Sequence, residues 1–102
     1  MQVITISAKL LGGSERKIDK AGHEYIRFKA SCESEAHGKI KTTIYRCYCY
    51  NSDIEELHDG EIVFLSGDID MNVCIDDNGK AWMNCDVYVR QIERASKYNA
   101  SR

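Results

Sequence analysis

The sequence predicts an all-β fold, a small closed barrel of five strands with one short helix between the third and fourth strands. Three observations predict it: β-rich runs that alternate with period two, turn signals that separate those runs, and one helix signal after the third run. The 102 residues suffice for one domain. We expect this domain at 1–94, followed by a short, flexible, basic tail at 95–102.

The first three strands are predicted from alternating hydrophobicity. The first covers residues 3–11 and ends at the turn cluster Gly12-Gly13-Ser14, the second covers 23–33, and the third covers 40–50. In the second and third strands one face is mainly apolar, and the other carries aromatic and basic side chains.

A short helix is predicted next. Ser52 and Glu55 match a capping box, Ile54 and Leu57 are three residues apart, and Gly60 suits a C-terminal cap. The pattern is long enough for about two turns.

The last two strands form a long hairpin. The fourth covers 61–75 with a bend at Gly67, residues 76–79 (Asp-Asp-Asn-Gly) form the turn, and the fifth covers 80–92. This order of strands and helix is that of the OB-fold, a Greek-key barrel whose strand 2–3 face commonly binds oligonucleotides or oligosaccharides.

The composition indicates a soluble cytoplasmic protein. Hydrophobic residues are 43% and charged residues 29%, no apolar run approaches the roughly 20 residues that span a membrane, and the first residues already alternate as a strand. The net charge is −2, but residues 1–52 carry nine Lys or Arg against five Asp or Glu, whereas residues 53–86 carry one against ten. The first half is therefore positive and the middle acidic.

No catalytic or metal site is expected. The five cysteines form no C-x-x-C pair and are predicted to be reduced and mostly buried; Cys47 and Cys49 with His37 or His58 fit strand alternation better than a zinc site. The histidines fall in loops or at element ends, and no phosphate-binding Gly-rich loop occurs. We therefore expect neither an enzyme nor a cofactor.

A patch of aromatic and basic side chains is the candidate binding site. If the second and third strands pair, the patch contains Tyr25, Arg27, Lys29, Arg46, Tyr48 and Tyr50. Aromatic rings stack on bases, and cations track phosphates. Trp82 is a further candidate, with a role as a packing anchor equally open.

Several segments, taken in order, resemble the bacterial single-stranded DNA-binding proteins. They are residues 3–10 (VITISAKL), 28–31 (FKAS), 42–48 (TTIYRCY), 60–69 (GEIVFLSGDI) and the turn at 77–80. The resemblance covers about residues 2–94 and implies an OB-fold that binds single-stranded DNA as a homotetramer, in DNA replication, recombination or repair. A dimer stays open.

The resemblance carries over to the binding residues only in part. Tyr50 matches a family aromatic at the end of the third strand, and Arg46 matches a basic residue on the same face. Three other family aromatics are replaced by Ile44, by Glu35 or Ala36, and by a residue near Cys74. Because residues 95–102 are basic, we expect that the family's acidic C-terminal tip is missing.

Two further functions stay open. One is an adaptor that contacts other replication proteins through the acidic hairpin, and the other is an oligosaccharide-binding OB domain. The hairpin carboxylates at positions 68, 70, 76 and 77 repel phosphate, so they are either solvated, exclude DNA from one route, or attract a basic protein partner.

Overall fold

A computed structural model describes residues 2–50 and 53–96, which form five strands. They are β1 (Gln2–Ile18), β2 (Glu24–Ala36), β3 (Lys39–Cys49), β4 (Ile62–Ile75) and β5 (Ala81–Arg94). The strands close into a barrel in the order β1-β2-β3-β5-β4. All neighbours are antiparallel except β3 and β5, which are parallel. The predicted closed five-stranded β-barrel is thus confirmed.

The core fills the barrel interior with side chains from every strand. Leu10, Ala30, Cys47, Val63 and Val87, one from each strand, have no exposed surface. Because successive strand residues point to opposite faces, the neighbours of these side chains point outward and form the barrel surface.

β1 is longer than the sequence predicts. The strand does not end at Gly12 but passes through a bulge between Leu11 and Glu15 and continues to Ile18. Gly12 has a φ of +82°, which a glycine adopts without steric cost, and its N–H donates to Asp59 Oδ1 at 2.8 Å. A local turn signal here marks an irregularity within one strand.

The segment between β3 and β4 forms no helix over its described residues 53–61, so the predicted short helix is wrong there. Its carbonyl groups bond to side chains from distant strands instead of to the next helical turn. The Arg16 guanidinium donates to the Ile54 carbonyl oxygen at 3.0 Å, and the Arg94 guanidinium donates to that of Glu56 at 3.0 Å. Tertiary contacts override the local helix signal.

Leu57 anchors this segment to the barrel. It is 1% exposed, its N–H donates to Ser14 Oγ at 2.9 Å, and its carbonyl oxygen accepts from the Ser14 N–H at 3.0 Å. The spacing of Ile54 and Leu57 therefore places Leu57 in the core without a helical turn. Ser52, the predicted cap, and residues 97–102 of the predicted tail lie outside the described residues.

Gly67, where the sequence predicts a bend in β4, lies at an irregularity in the β4–β5 pairing. The register shifts between Ser66 and Gly67, and a Cβ at Gly67 would lie 2.2 Å from the Tyr88 carbonyl oxygen. Only glycine allows β5 to approach this closely. Beyond the bulge the hairpin continues to the predicted turn, where the Gly79 N–H donates to the Asp76 carbonyl oxygen at 3.0 Å.

Candidate nucleic-acid interface

The predicted aromatic and basic patch lies on the outer face of β2, β3 and β5. Arg27 pairs with Tyr48 and Lys29 with Arg46 across the antiparallel β2–β3 ladder. Tyr48 then pairs with Tyr88 across the parallel β3–β5 ladder. The barrel therefore extends the patch to a third strand.

Four tyrosines stand in a row across this face, in the order Tyr50, Tyr25, Tyr48 and Tyr88; we call them the tyrosine row. The Tyr50 and Tyr25 ring centroids are 5.1 Å apart with an interplanar angle of 29°. Tyr25 and Tyr48 are 6.2 Å apart at 47°, and Tyr48 and Tyr88 are 5.5 Å apart at 22°. Neighbouring rings support one another, which limits the rotamers that each can adopt.

The hydroxyl group of Tyr50 holds one end of the row. It donates to Asp19 Oδ2 at 3.2 Å, in the turn that connects β1 to β2. The backbone N–H of His23 donates to Asp19 Oδ1 at 2.8 Å, and this bond, together with that from Tyr50, holds the pKa of Asp19 below its ordinary value. An ionised Asp19 thus fixes both the turn and the Tyr50 ring.

A buried carboxylate organises the middle of the row. Arg46 donates from Nε to Asp86 Oδ1 at 2.7 Å and from Nη2 to Asp86 Oδ2 at 2.9 Å, a bidentate pair. The Tyr48 hydroxyl donates to the same Oδ1 at 3.2 Å. Burial raises the pKa of Tyr48, and the adjacent Asp86 charge raises it further. Arg46 and Tyr48 are therefore fixed by one acceptor.

Arg27 and Lys29 supply the cations that the patch leaves uncommitted. Within the described residues neither side chain has an ion pair, and both border a groove of about 320 Å³ beside the Gly12-Gly13 bulge of β1. The groove is open to solvent at the edge of the tyrosine row. A phosphate placed there would meet these two cations, which need not leave another partner, and also the carboxylate of Glu15, which lines the same groove and pairs with Lys17 at 3.4 Å.

Trp82 lies apart from the row. It is exposed on the distal part of β5, six residues before Tyr88 on the same face, which corresponds to about 20 Å along a strand. Its nearest cross-strand neighbour is Cys74. The structure thus favours a surface position for Trp82 over a packing role, but at a site separate from the tyrosine row.

The structure brings together all the predicted binding residues of β2 and β3; their contacts with DNA stay a prediction. It adds Tyr88, which is not among the binding residues predicted from the sequence. In β5, outward Asn84, Asp86 and Tyr88 alternate with inward Cys85 and Val87, and this alternation in the sequence would have placed Tyr88 on the outer face. The position of Tyr88 beside Tyr48 follows only from the pairing of β3 with β5.

The positions at which family aromatics are replaced also have a defined place. Ile44 lies on the outer face of β3 opposite Ser31 and is 53% exposed. Glu35 and Ala36 lie at the exposed distal end of β2, and Cys74 lies on the hairpin opposite Trp82. The stacking surface is therefore concentrated at the other end of β3, nearest the β1–β2 turn.

The described residues hold neither a metal cluster nor a membrane-spanning helix. Among residues 2–50 and 53–96, no group of three or more His, Cys, Asp or Glu side chains is placed to hold a metal ion. Nor do these residues contain a helix that could span a lipid bilayer. The five cysteines are free thiols; Cys47, Cys49 and Cys85 are buried.

Comparison with solved structures assigns the architecture. The structure entitled "Plasmodium falciparum SSB complex with ssDNA" superposes with a TM-score of 0.66 at 15% identity, over 92% of each chain. This chain has the OB-fold. The PriB protein of Ralstonia solanacearum superposes with a TM-score of 0.64 at 10% identity, over 92% of this chain and 98% of that one. No protein-family profile and no curated protein matches the chain.

The OB-fold gives the tyrosine row a particular position. OB-folds commonly bind oligonucleotides or oligosaccharides on the face formed by strands 2 and 3. Tyr25, Arg27 and Lys29 on β2, with Tyr48 and Tyr50 at the end of β3, lie on that face. The resemblance to bacterial single-stranded DNA-binding proteins is confirmed at the level of the fold.

Proposed function

We propose that this protein binds single-stranded DNA without sequence preference and catalyses no reaction. The observation that carries the proposal is the tyrosine row beside two uncommitted cations, Arg27 and Lys29, on the β2–β3 face of an OB-fold. Stacking on aromatic rings tolerates every base, and phosphate neutralisation is independent of sequence. A role in replication, recombination or repair in the cytoplasm is part of the same proposal.

The two end rings are the first stacking platforms. Tyr50 is 51% exposed and Tyr88 is 41% exposed, and each has only one described ring neighbour. One face of each ring is therefore not covered by another tyrosine of the row. Tyr25 and Tyr48 lie between other rings, so a base reaches them at their edges or by separating two rings.

Arg46 is assigned a positioning role, which revises the phosphate contact expected from the sequence. Its Nε and Nη2 groups are already bound to Asp86, and the Asp86 charge offsets that of the guanidinium. The pair holds Tyr48 through the shared carboxylate. Phosphate contact is assigned instead to Arg27 and Lys29.

Self-association is proposed through the free edge of β1. Residues 2–8 pair with β4 on one side, whereas pairing with β2 begins only at Lys9, so a groove of about 630 Å³ opens between β1 and the distal part of β2. An unpaired strand edge is a template for another strand. Sedimentation equilibrium tests this: a dimer or tetramer is expected, and a monomer across the micromolar range would contradict it.

Titration of fluorescently labelled poly(dT) at several salt concentrations tests DNA binding. Micromolar or tighter affinity that weakens with salt is expected. Tyr50→Ala with Tyr88→Ala should weaken binding more than tenfold while the protein stays folded, because both rings are exposed. Arg27→Gln with Lys29→Gln should flatten the plot of log affinity against log salt by about 0.7 for each phosphate that the variant no longer neutralises.

Lys80→Gln is the matched control for the cation variants, because it removes one exposed positive charge at the hairpin turn, away from the tyrosine row. It should leave the salt dependence unchanged. Absence of poly(dT) binding even at low salt would refute the proposal and favour a protein adaptor. Binding of an oligosaccharide without salt dependence would place the protein in a different ligand class.

A further inference from the structure

The distal part of the β4–β5 hairpin carries an exposed apolar surface that DNA binding does not explain. Met71, Val73, Ile75 and Met83, which we call the apolar hairpin face, are each at least half exposed. Val73 pairs directly with Met83, and Met71 and Ile75 flank Val73 on the same side of β4. The four side chains are therefore contiguous, over an area on the order of a few hundred Å².

This surface continues the side of the sheet that faces the barrel interior. Ile69, two residues before Met71, is 7% exposed, and Val87, its partner on β5, is fully buried. Beyond Ile69 the hairpin extends past the barrel. The side chains that continue on this face therefore have no described strand packed against them. Large apolar side chains in this position are favourable only when another surface covers them.

Carboxylates surround the tip of this hairpin. Asp70, Asp76 and Asp77 lie on residues 70–83, against the single cation Lys80. Asp76 is engaged by the backbone N–H groups of Asn78 and Lys80 in the turn. In the part of the chain that the structure describes, Asp70 and Asp77 have no ion pair. Asp70 pairs with Asp86 and lies on the opposite face of the hairpin from Met71, so the charge next to the apolar hairpin face is that of the tip carboxylates of Asp76 and Asp77.

We propose that the apolar hairpin face binds a cationic amphipathic segment of another protein, in which apolar residues recur between Lys or Arg. The apolar residues would cover the four exposed side chains while the basic residues meet the tip carboxylates of Asp76 and Asp77. Methionine adapts its shape to different partners, which suits Met71 and Met83 to this role. Long Lys and Arg stems add apolar contact beneath their charges.

The charge distribution selects this occupant over two others. A nucleic acid would bring phosphates toward uncompensated carboxylates, which disfavours it. A second copy of this chain, docked by the same face, would place two sets of tip carboxylates in one interface, with one lysine for each pair. A basic segment gains from both the apolar surface and the charges. The proposal does not depend on DNA binding, because the tyrosine row lies on the outer face, where its β5 member Tyr88 is in the middle of the strand.

A synthetic fluorescent peptide of alternating Leu and Lys is a direct probe. Two matched peptides, with Ser in place of Leu and with Glu in place of Lys, separate the apolar and charge contributions. The Leu-Lys peptide should bind the full-length protein at least tenfold more tightly than either control, and its affinity should fall as salt is raised. Equal binding of the Ser-Lys peptide would overturn the proposal, since charge alone would then suffice.

Protein variants locate the binding. Val73→Ser with Met83→Ser should weaken Leu-Lys binding at least tenfold, and Asp77→Asn should weaken it about threefold and reduce its salt dependence, whereas Asp70→Asn, on the opposite face, should leave it unchanged. Ile40→Ser is the matched control, since Ile40 is also an exposed β-branched side chain but lies on β3. Unchanged affinity in the Val73/Met83 variant, with native circular dichroism, would overturn the proposal.

The methionines provide a readout at the proposed surface. The chain has three, and two of them, Met71 and Met83, belong to the apolar hairpin face. With ¹³C-methyl methionine, the Met71 and Met83 signals should shift on addition of the Leu-Lys peptide. Shifts of the same signals on addition of poly(dT), or on raising the protein concentration alone, would replace the protein segment with DNA or a second copy and overturn the proposal.

Discussion

The tyrosine row and the apolar hairpin face differ in what stands around them, although β5 contributes to both. In the row, rings pack against rings, and the hydroxyl groups of Tyr48 and Tyr50 bond to the carboxylates of Asp86 and Asp19. On the hairpin face, Val73 and Met83 are more than half exposed. The side chains of the row are held in place before any ligand binds, whereas those of the hairpin face lack a surface that covers them.

Two aspartates show that position relative to the barrel decides this difference. Asp70 and Asp86 lie directly opposite each other on β4 and β5 and share a face. Asp86, next to β3, is 8% exposed and ion-paired with Arg46, whereas Asp70, on the far side from β3, is exposed. A third strand beside the hairpin supplies the partner that the hairpin alone lacks.

The largest effect is expected at Gly67, where the barrel wall becomes the hairpin. Gly67→Ala would place a Cβ 2.2 Å from the Tyr88 carbonyl oxygen, and 2.9 Å from the Tyr88 carbonyl carbon. Because both atoms belong to the backbone, β4 and β5 must separate. We expect a loss of about 3 kcal/mol in the free energy of unfolding, measured by urea denaturation.

Gly79→Ala is the control for this substitution. Gly79 has a φ of +80° in the hairpin turn, and a Cβ there would meet no atom within 4 Å. Its loss should be about 1 kcal/mol, from backbone conformation alone. Equal losses in both variants would mean that the β5 backbone at Tyr88 moves away at little cost in free energy. The close approach of β5 to Gly67 would then not contribute to stability.

The next effect separates the paired from the unpaired aspartate. Asp86→Asn removes the carboxylate that holds Arg46 and that accepts a hydrogen bond from the Tyr48 hydroxyl group. The free energy of unfolding should therefore fall by about 2 kcal/mol. The released Arg46 charge should also strengthen poly(dT) binding at low salt, and it should steepen the slope of log affinity against log salt concentration by about 0.7.

Asp70→Asn removes the same charge from the opposite strand. Its stability should stay within about 0.5 kcal/mol of the wild-type value, because Asp70 is exposed and has no ion pair within the described residues. Weaker poly(dT) binding in Asp86→Asn would show that orientation of Tyr48 matters more than the freed charge.

A smaller effect concerns the dependence of stability on pH. Arg94 bonds to Glu61 through Nε and Nη2, and these bonds hold the pKa of Glu61 below its ordinary value of 4.5. A depressed folded-state pKa contributes stability above pH 4.5, and this contribution disappears as the pH falls through the folded-state pKa. Glu61→Gln should therefore lose about 1 kcal/mol in the free energy of unfolding at pH 7, and progressively less as the pH falls below 4.5.

Asp77→Asn is the control for pH, because the Asp77 carboxylate lies at the exposed hairpin tip without an ion pair among the described residues. Urea midpoints measured from pH 3 to pH 7 should fall in parallel for this variant and the wild type. A wild-type curve that is no steeper than that of Glu61→Gln would show that the Arg94 pair does not stabilise the barrel.

Sequence alternation predicts the strands well because each strand of the barrel has one face in the core. It fails between residues 11 and 15 and between 53 and 61, where distant groups decide the backbone conformation. Ser14 and Leu57 bond to each other across 43 residues, so neither a turn signal nor a capping box in the local sequence reveals the contact. The positive φ of Gly60 belongs to the turn before β4.

The same limit applies to the site. Alternation places Tyr25 and Tyr48 on outer faces, and the β2–β3 hairpin brings these faces together. The partners of Arg46 and Tyr48 lie on β5, about 40 residues later, and a parallel pairing of β3 with β5 has no local signal. The sequence therefore predicts the patch but neither Tyr88 nor the commitment of Arg46 to Asp86.

The smallest effect tests the apolar hairpin face in isolation. Val73→Thr exchanges a methyl group for a hydroxyl group and keeps the β-branched shape, at a side chain that is 65% exposed. The free energy of unfolding should change by less than about 0.5 kcal/mol. The matched substitution Val63→Thr, earlier on the same strand and fully buried, should lose about 1–3 kcal/mol because its hydroxyl group would enter the core.

The dependence of the Val73→Thr effect on protein concentration shows whether a second copy covers Val73. If Val73 is uncovered in the isolated protein, Val73→Thr behaves alike at low and high micromolar concentration, and only an added cationic segment makes the methyl group important. If the substitution instead destabilises as much as Val63→Thr, and does so more strongly at high concentration, a second copy already covers the hairpin. The same valine-to-threonine change at two depths of β4 thus measures whether the hairpin face is open to a partner.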